Sequence, residues 1–377
     1  MTALFASLGS TAEILYQRPD LLEEWLPTVD ASVLAQPLEP VKWLSRGLSL
    51  AHGRPLLLSG YGSAGKTWAA LELALAVAAG ESRVWGEQEL SLAGPVLGID
   101  YEMGLPALRW RLQRLAHGRG IDLGALGPSL KISSLPKLLL TDPRAEELLL
   151  RACEGKALVV IDNNAAGSRG VDENSAEAAE SLYTLNRVGE KTGAVIVVLA
   201  HERKGGEGQA QGDAARRIRG SSSLHAAVGG GVAFSRVCKG VVKGESSKSS
   251  LGPEPEPFYF SIDDVGEIDP ATGKPRGIRL SPVAPEELAR RLEEEREEKE
   301  RASSGKAATG VATIKLALLK AVATSGPLSR TEALSLVSGR NDFRSQAWQQ
   351  LLDEGAVVQS GVEGAKKLFS VPGGGAS

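Results

Sequence analysis

Cysteine is scarce in this sequence, and long apolar runs are absent. Only two cysteines, Cys153 and Cys238, occur among 377 residues, which excludes a disulfide framework or a cysteine-rich zinc site. Purely apolar runs are short, no longer than the segment 194–200, so we expect no membrane span. The first residues lack the basic flank of a signal peptide, and we therefore expect a cytoplasmic protein.

Neither sign of charge dominates. The sequence has 43 basic and 46 acidic side chains and a formal net charge of −3. This balance argues against a uniformly basic nucleic-acid coat, although local basic patches remain compatible with it. With 42% hydrophobic and 24% charged residues and no internal repeat, the composition is that of a globular protein and excludes a disordered or collagen-like chain.

Apolar periodicity divides the chain into four predicted parts. Residues 1–36 have roughly helical apolar spacing and predict a helical arm. Residues 37–282 alternate short apolar runs with amphipathic helices, which indicates an α/β domain: a parallel sheet with helices on both faces. Residues 283–310 predict a charged helical linker with a small-residue hinge at 303–310. Three helices and a hairpin are predicted in residues 311–377, which is typical of a small winged-helix domain.

The α/β part is predicted from four continuous apolar runs, each suited to a strand covered on both faces. The predicted strands are 55–59, 95–100, 158–162 and 194–200, and the predicted intervening helices are 67–79, 106–117, 143–153 and 175–192. Two further strand-rich segments, 231–242 and 258–280, are predicted beyond them, with a turn at 269–273.

One glycine-rich segment determines the predicted chemistry. It reads Gly60-Tyr61-Gly62-Ser63-Ala64-Gly65-Lys66-Thr67 and matches G-x-x-x-x-G-K-[ST] between a predicted strand and a predicted helix. The glycines let backbone N–H groups turn inward around the β-phosphate of ATP. Lys66 is predicted to reach the β- and γ-phosphates, and the Thr67 hydroxyl to bind Mg²⁺. Trp68, directly after the motif, is included in the predicted nucleotide site.

Acidic residues at the ends of two predicted strands complete the site. Asp162 follows four apolar residues and is predicted to hold the metal behind Thr67. Asp100 and Glu102 end the other strand, and either carboxylate could polarise the attacking water. Glu102 has the longer side chain and lies further past the strand end, but local chemistry alone leaves this choice open.

Over about residues 38–240, the sequence resembles the RecA-fold motor ATPases, specifically the RepA-like and DnaB-like hexameric helicases. The segments that carry this resemblance are Asp100-Tyr101-Glu102-Met103, the helix with Arg109 and Arg111, Asp162-Asn163-Asn164 with Asp172-Glu173-Asn174-Ser175, Ala200-His201-Glu202-Arg203-Lys204, and Arg219-Gly220-Ser221-Ser222-Ser223-Leu224. The apolar, glycine-rich segment 226–231 departs from the pattern of that family.

The resemblance implies roles that the residues alone do not give. It favours Glu102 as the catalytic base and implies that His201 senses the γ-phosphate of ATP. It also implies a homo-oligomer, most simply a hexamer, in which an arginine reaches the ATP site of the neighbouring subunit. Arg236 is the first candidate for that arginine and Arg219 the second.

A basic loop and the C-terminal part are the predicted DNA contacts. The loop between residues 203 and 219 has no aromatic residue, and it is predicted to hold single-stranded DNA in a central channel by its phosphates, through Arg203, Lys204, Arg216, Arg217 and Arg219. The alternative is a solvated loop. The C-terminal part is predicted to contact either DNA or a replication protein.

These observations together predict an ATP-hydrolysing motor on DNA, most simply a RepA/DnaB-like replicative helicase. Two alternatives share the same motifs. One is a loader or regulatory ATPase that binds DNA without unwinding it, and the other is an assembly protein that ATP switches without turnover.

Overall fold

The computed structural model of the chain describes residues 17, 18, 20, 22–171, 179–202 and 222–372, and only the backbone of residues 24, 25, 222 and 303. The chain divides into two compact units, Met1–Trp43 and Leu44–Ser377. The finer division into four domains stays a prediction.

Two single-turn helices form the described part of the first unit, α1 (Leu22–Trp25) and α2 (Ala31–Leu34). The Asp30 carboxylate caps α2 by accepting hydrogen bonds from the backbone N–H groups of Ser32 and Val33. Pro27 lies between the two helices and opposes one continuous helix over this segment.

A nine-stranded sheet forms the centre of the second unit, in the order β13-β12-β11-β10-β3-β9-β8-β6-β7. Its strands are β3 (Leu56–Gly60), β6 (Val96–Asp100), β7 (Leu130–Ser134), β8 (Leu158–Asp162), β9 (Val195–His201), β10 (Gly230–Cys238), β11 (Val241–Ser249), β12 (Phe258–Asp269) and β13 (Lys274–Pro282). Six neighbouring strands, β10 to β7, are parallel, and the other three extend the sheet antiparallel. Two small hairpins accompany the sheet, β1 (Trp43–Ser45) with β2 (Leu50–Ala51), and β4 (Arg83–Val84) with β5 (Gln88–Glu89).

Helices cover both faces of this sheet, as the predicted α/β class requires. They are α3 (Lys66–Ala79), α4 (Leu105–Arg119), α5 (Ala145–Cys153), α6 (Asn164–Gly167), α7 (Glu180–Thr192) and α8 (Ser222–Ala227). The side chains of α3 and α4 belong to one buried apolar cluster, and those of α5, α7 and α8 belong to the other. Together these elements form the predicted α/β fold, a largely parallel sheet with helices on both faces. Both cysteines are buried and free.

A buried ion pair fixes α3 against α4. The Arg119 guanidinium lies 2.5 Å from the carboxylate of Glu72, whose side chain is fully buried. Burial raises the pKa of Glu72, while Arg119 opposes that rise. The pair thus joins the middle of α3 to the C-terminal end of α4.

The C-terminal part begins with a long helix, α9 (Pro285–Ser325), followed by α10 (Arg330–Ser335) and α11 (Asn341–Asp353). A three-stranded antiparallel sheet of β14 (Leu328–Ser329), β16 (Lys366–Ser370) and β15 (Val358–Glu363) completes it. The second half of α9, α10, α11 and this sheet enclose a third apolar core around Trp348. The three helical segments and the β15–β16 hairpin are the elements that the sequence predicts for residues 311–377, and β14 is additional. We call residues 311–372 the C-terminal module.

The prediction of a hinge at 303–310 is wrong, because α9 continues through these residues without a break. Salt bridges four residues apart support the charged first half of α9, for example Arg291 with Glu287. Gly310 is small for a packing reason: a Cβ there would lie 3.0 Å from the Phe343 ring. At position 310 the small residue therefore permits close packing rather than a flexible joint.

The same helix bears on the expectation that the chain has no membrane span. Within the described part of the chain, α9 is the one helix long and apolar enough to cross a membrane. Its apolar residues Val311, Ile314 and Leu318, however, are buried in the core of the C-terminal module. Packing inside the protein accounts for these three positions, whereas 22% of the apolar stretch as a whole is buried.

Candidate nucleotide-binding site

The phosphate-loop motif lies where β3 ends and α3 begins. Gly60 has a φ of 156° and lies so close to β10 that a Cβ would be 2.4 Å from the carbonyl oxygen of Phe234. Gly65 has a φ of 88°, and a Cβ there would lie 2.8 Å from the Ile262 side chain. Both positions require glycine, because an L side chain at either one would be strained and would clash. The first and last glycines of the motif thus shape the loop between β10 and β12.

Lys66 lies across this loop at the first position of α3. Its Nζ atom donates hydrogen bonds to the carbonyl oxygens of Gly60, at 2.7 Å, and Tyr61, at 2.8 Å. Burial lowers the pKa of Lys66, and the nearby carboxylates, Asp162 foremost, oppose that change. The ammonium group is thus held inside the loop that the motif predicts to cradle phosphates.

Thr67 and Asp162 meet at the predicted metal site. The Thr67 hydroxyl donates a 3.0 Å hydrogen bond to the Asp162 carboxylate at the end of β8. Burial raises the pKa of Asp162 to about 6, although the Thr67 hydrogen bond lowers it. One hydroxyl and one carboxylate suit Mg²⁺, which takes few protein ligands and fills its other positions with substrate phosphates and water. No group of three or more metal-ligating side chains occurs in the parts of the chain that the structure describes.

Asp100 and Glu102 occupy different environments. Asp100 is 3% exposed, and its carboxylate accepts hydrogen bonds from the backbone N–H groups of Glu102, Met103 and Gly104 and from the Ser134 hydroxyl. It therefore holds the turn between β6 and α4. The Glu102 side chain is half exposed and lines the cleft in front of the phosphate-loop motif. Of these two carboxylates, the geometry leaves Glu102 as the one that faces the cleft.

Asn163 connects the carboxylate of Glu102 to the imidazole of His201. Its Nδ2 atom lies 2.5 Å from Oε2 of Glu102 and 3.2 Å from Nε2 of His201, while its Oδ1 accepts a hydrogen bond from the backbone N–H of Ala166. His201 ends β9, which lies between the strand of the phosphate-loop motif and the strand of Asp162. Sequence reasoning missed Asn163 as a site residue, although its place next to Asp162 was a usable signal.

An aromatic and cationic group forms another wall of the same cleft. The Arg111 guanidinium lies 5.1 Å from the centroid of the Trp68 ring, and the centroid of the Trp110 ring lies 6.1 Å from that of Trp68. The cleft has a volume of about 440 Å³. Residues 62–68, Glu102, Met103, Arg111, Asp162, His201 and Ile262 line it. The structure therefore brings together most of the predicted nucleotide-binding residues and adds Arg111, Met103 and Ile262.

Arg236 lies on β10 at the same edge of the sheet as the phosphate-loop motif, but it does not line the cleft. Phe234, two residues earlier, pairs with Gly60 of β3. The Arg236 side chain is exposed, and its charge lowers the pKa of Glu295 on α9, after the larger effects of Lys299 and the Lys239 backbone. Its predicted role in a neighbouring subunit stays a prediction.

The predicted DNA-binding residues lie outside the described residues. They are Arg203, Lys204, Arg216, Arg217 and Arg219. The same holds for the segment 172–175, which contributed to the family resemblance.

Comparison with known proteins gives two findings. The family of AAA domains designated AAA_25 matches residues 19–207, which is half of the chain. The crystal structure of the RadB recombinase is similar to this chain over 63% of this chain and 96% of that one, with 18% sequence identity and a TM-score of 0.43.

Proposed function

Because this chain belongs to the AAA_25 family of AAA domains, we propose that it is an ATP-hydrolysing, RecA-like motor that acts on DNA. The finer proposal is a RepA/DnaB-like oligomeric helicase of the cytoplasm, acting in replication. The observation that carries the proposal is the position of Glu102, held by Asn163 across the cleft from Lys66 and Thr67.

The proposed chemistry assigns each side chain to one part of ATP hydrolysis. Lys66 exchanges its carbonyl partners for phosphate oxygens, and Glu102 accepts a proton from the attacking water. Thr67 and Asp162 would hold Mg²⁺, which neutralises charge on the β- and γ-phosphates. Asn163 orients the Glu102 carboxylate, and His201 reports on the γ-phosphate through the same amide.

The test of the ATPase proposal is the Lys66→Ala variant. We expect ATP turnover, measured by phosphate release, to be abolished, because the point charge on the β- and γ-phosphates is lost. Its matched control is Lys131→Ala, which removes an exposed lysine on β7. Turnover at the wild-type rate in Lys66→Ala protein would refute the proposed site.

The proposed DNA contact is tested separately through the basic loop. Replacing Arg216 and Arg217 by alanine should weaken binding to a mixed-sequence single strand and flatten its salt dependence. With fewer phosphate contacts, binding releases fewer counterions from the DNA. Fluorescence anisotropy at several salt concentrations measures both quantities. Basal ATP turnover should stay at the wild-type level, since the loop is not part of the proposed ATP site.

Strand displacement distinguishes the helicase from its two alternatives. A helicase should separate a labelled forked duplex in the presence of ATP. DNA-stimulated turnover without displacement would favour a loader or regulatory ATPase. Tight ATP binding with turnover near zero would favour an assembly protein switched by the nucleotide.

A further inference from the structure

One face of α11 in the C-terminal module presents uncharged polar side chains to solvent. Asn341, Ser345 and Gln349 follow one another at intervals of four residues, and Gln346 lies beside them; all four are exposed. The opposite face, with Trp348, is buried in the module core. Amide and hydroxyl groups of this kind are the ones that hydrogen-bond to base edges in the major groove of DNA.

The arginines next to this face are used inside the module. Arg344 donates hydrogen bonds to the carbonyl oxygens of Leu334, at 3.0 Å, and Val337, at 3.1 Å. Arg340 lies 2.6 Å from the Asp342 carboxylate and packs over the Phe343 ring. Arg344 thus fastens the end of α10 to α11, and Arg340 neutralises the acidic group at the start of α11. The outward face of α11 carries hydrogen-bonding groups and ends at the exposed Asp353. Within the helix, Asn341 accepts a hydrogen bond from Arg344, and Gln349 donates one to Asp353.

Exposed cations flank the polar face. Arg330, Lys366 and Lys367 line a cleft of about 410 Å³ between α10 and the β15–β16 hairpin, together with Glu332, whose carboxylate lies 3.5 Å from Lys366. Arg330 also lines a second cleft, of about 560 Å³, together with Asn341 and Ser345 of α11. The polar face and the cationic cleft are therefore continuous through Arg330. A surface with base-reading groups in the middle and cations at its border is complementary to the groove and phosphates of duplex DNA.

We propose that the C-terminal module binds double-stranded DNA in a sequence-dependent way, with α11 in the major groove and Lys366 and Lys367 on the phosphate backbone. This goes beyond the proposed motor, whose basic loop holds a single strand without reading its bases. A protein-docking surface would be expected to expose aromatic anchors. In this module Trp348 and Phe369 instead pack edge to face, with their ring centroids 5.3 Å apart.

The experiment uses the full chain without nucleotide. A duplex pool with a randomised core of two helical turns, about 20 base pairs, is enriched by binding to the protein. Affinities for the enriched duplex and for a scrambled duplex of equal length are then measured by anisotropy at several salt concentrations. The variants are Gln346→Ala with Gln349→Ala, Lys366→Ala with Lys367→Ala, and the matched control Gln359→Ala, an exposed glutamine on β15 that lines neither cleft.

We expect the double glutamine variant to bind the enriched duplex about tenfold more weakly or worse, with unchanged affinity for the scrambled duplex. The double lysine variant should bind both duplexes more weakly, with a salt slope lower by about 2. The proposal is overturned if no sequence is enriched, as a protein partner for this module would predict, or if the glutamine variant binds the enriched duplex as the control does. ATP turnover of the same variants is measured in parallel, so that failure of the motor proposal is recognised separately.

Discussion

Two carboxylates that are two residues apart serve different purposes because the backbone turns sharply between them. Asp100 ends β6, and its carboxylate accepts four hydrogen bonds, three of them from backbone N–H groups. Glu102 lies past that turn and faces the cleft. The sequence could not separate them, since the Asp100 hydrogen bonds depend on a turn and on Ser134 of a neighbouring strand. The resemblance favoured Glu102, and the geometry agrees with it.

The first prediction separates catalysis from structure at these positions. Glu102→Gln should bind ATP normally but hydrolyse it about 10²-fold more slowly, because the general base is removed and the cleft is kept. Asp100→Asn should instead lower the free energy of unfolding by about 1–3 kcal/mol, since an amide replaces a carboxylate that accepts several hydrogen bonds. Phosphate release and denaturant unfolding measure the two effects. A stable, inactive Asp100→Asn beside a fully active Glu102→Gln would reverse the assignment.

The second prediction concerns the buried Asp162. Its pKa is about 6 in the folded chain and ordinarily 3.8, so the folded state holds this proton more tightly. Protonation of Asp162 therefore adds up to about 3 kcal/mol to the free energy of unfolding. This contribution is fully present below pH 3.8 and is lost as the pH rises through 6. Asp162→Asn should therefore unfold at higher denaturant concentration than the wild type at pH 8, without nucleotide or Mg²⁺, and the difference should shrink towards pH 4.

A matched acidic residue provides the control for that comparison. Asp122→Asn replaces an aspartate that accepts backbone hydrogen bonds in an exposed turn and does not line the cleft. It should not reproduce the gain in stability at pH 8. If Asp162→Asn gains nothing there either, the carboxylate is not the buried, unfavourable charge that its environment indicates.

At the scale of elements, four of the parallel strands, β3, β6, β8 and β9, were predictable because each is a continuous apolar run. The predicted strands 95–100 and 158–162 differ from β6 and β8 by at most one residue. β7 was missed because its residues, Leu130–Ser134, are only partly buried at the sheet edge and include polar side chains. The hinge error at 303–310 has a related cause: glycine in the sequence does not reveal that Gly310 packs against Phe343. Tertiary packing decides such cases.

The third prediction uses the two glycines of α9. Gly305 has open space around its Cβ position, so Gly305→Ala should stabilise the helix by about 0.5–1 kcal/mol. Gly310→Ala should give no such gain, because its Cβ would press on the Phe343 ring. The measurements are helical content by far-ultraviolet circular dichroism and the free energy of unfolding. Equal behaviour of both variants would mean that this segment is not a continuous, packed helix.

At the scale of the whole molecule, the sheet brings the parts of the proposed site to one edge. The carboxyl ends of β3, β6, β8 and β9 supply the phosphate-loop motif, Glu102, Asp162 and His201, respectively. Parallel strands make this convergence predictable from the sequence, since their carboxyl ends share an edge. The neighbouring β10 carries Arg236 to the same edge but outside the cleft of its own chain. That position is compatible with a contact made by one subunit to the next.

The last prediction tests that contact through subunit mixing. Arginine fingers contribute about 10³-fold or more to phosphoryl transfer, and the planar guanidinium makes two hydrogen bonds where an ammonium makes one. Arg236→Ala should therefore lose most ATP turnover, and so should Lys66→Ala. Mixed oligomers of the two variants contain interfaces where an intact phosphate-loop motif faces an intact arginine, so mixing should restore part of the turnover.

The matched control is Arg279→Ala on β13. The Nε atom of Arg279 donates a hydrogen bond to the carbonyl oxygen of Gly118 within the same chain, so this variant should show no rescue pattern with Lys66→Ala. If Arg236→Ala is fully active by itself, Arg236 is not the arginine finger, and Arg219 is then the next residue to replace.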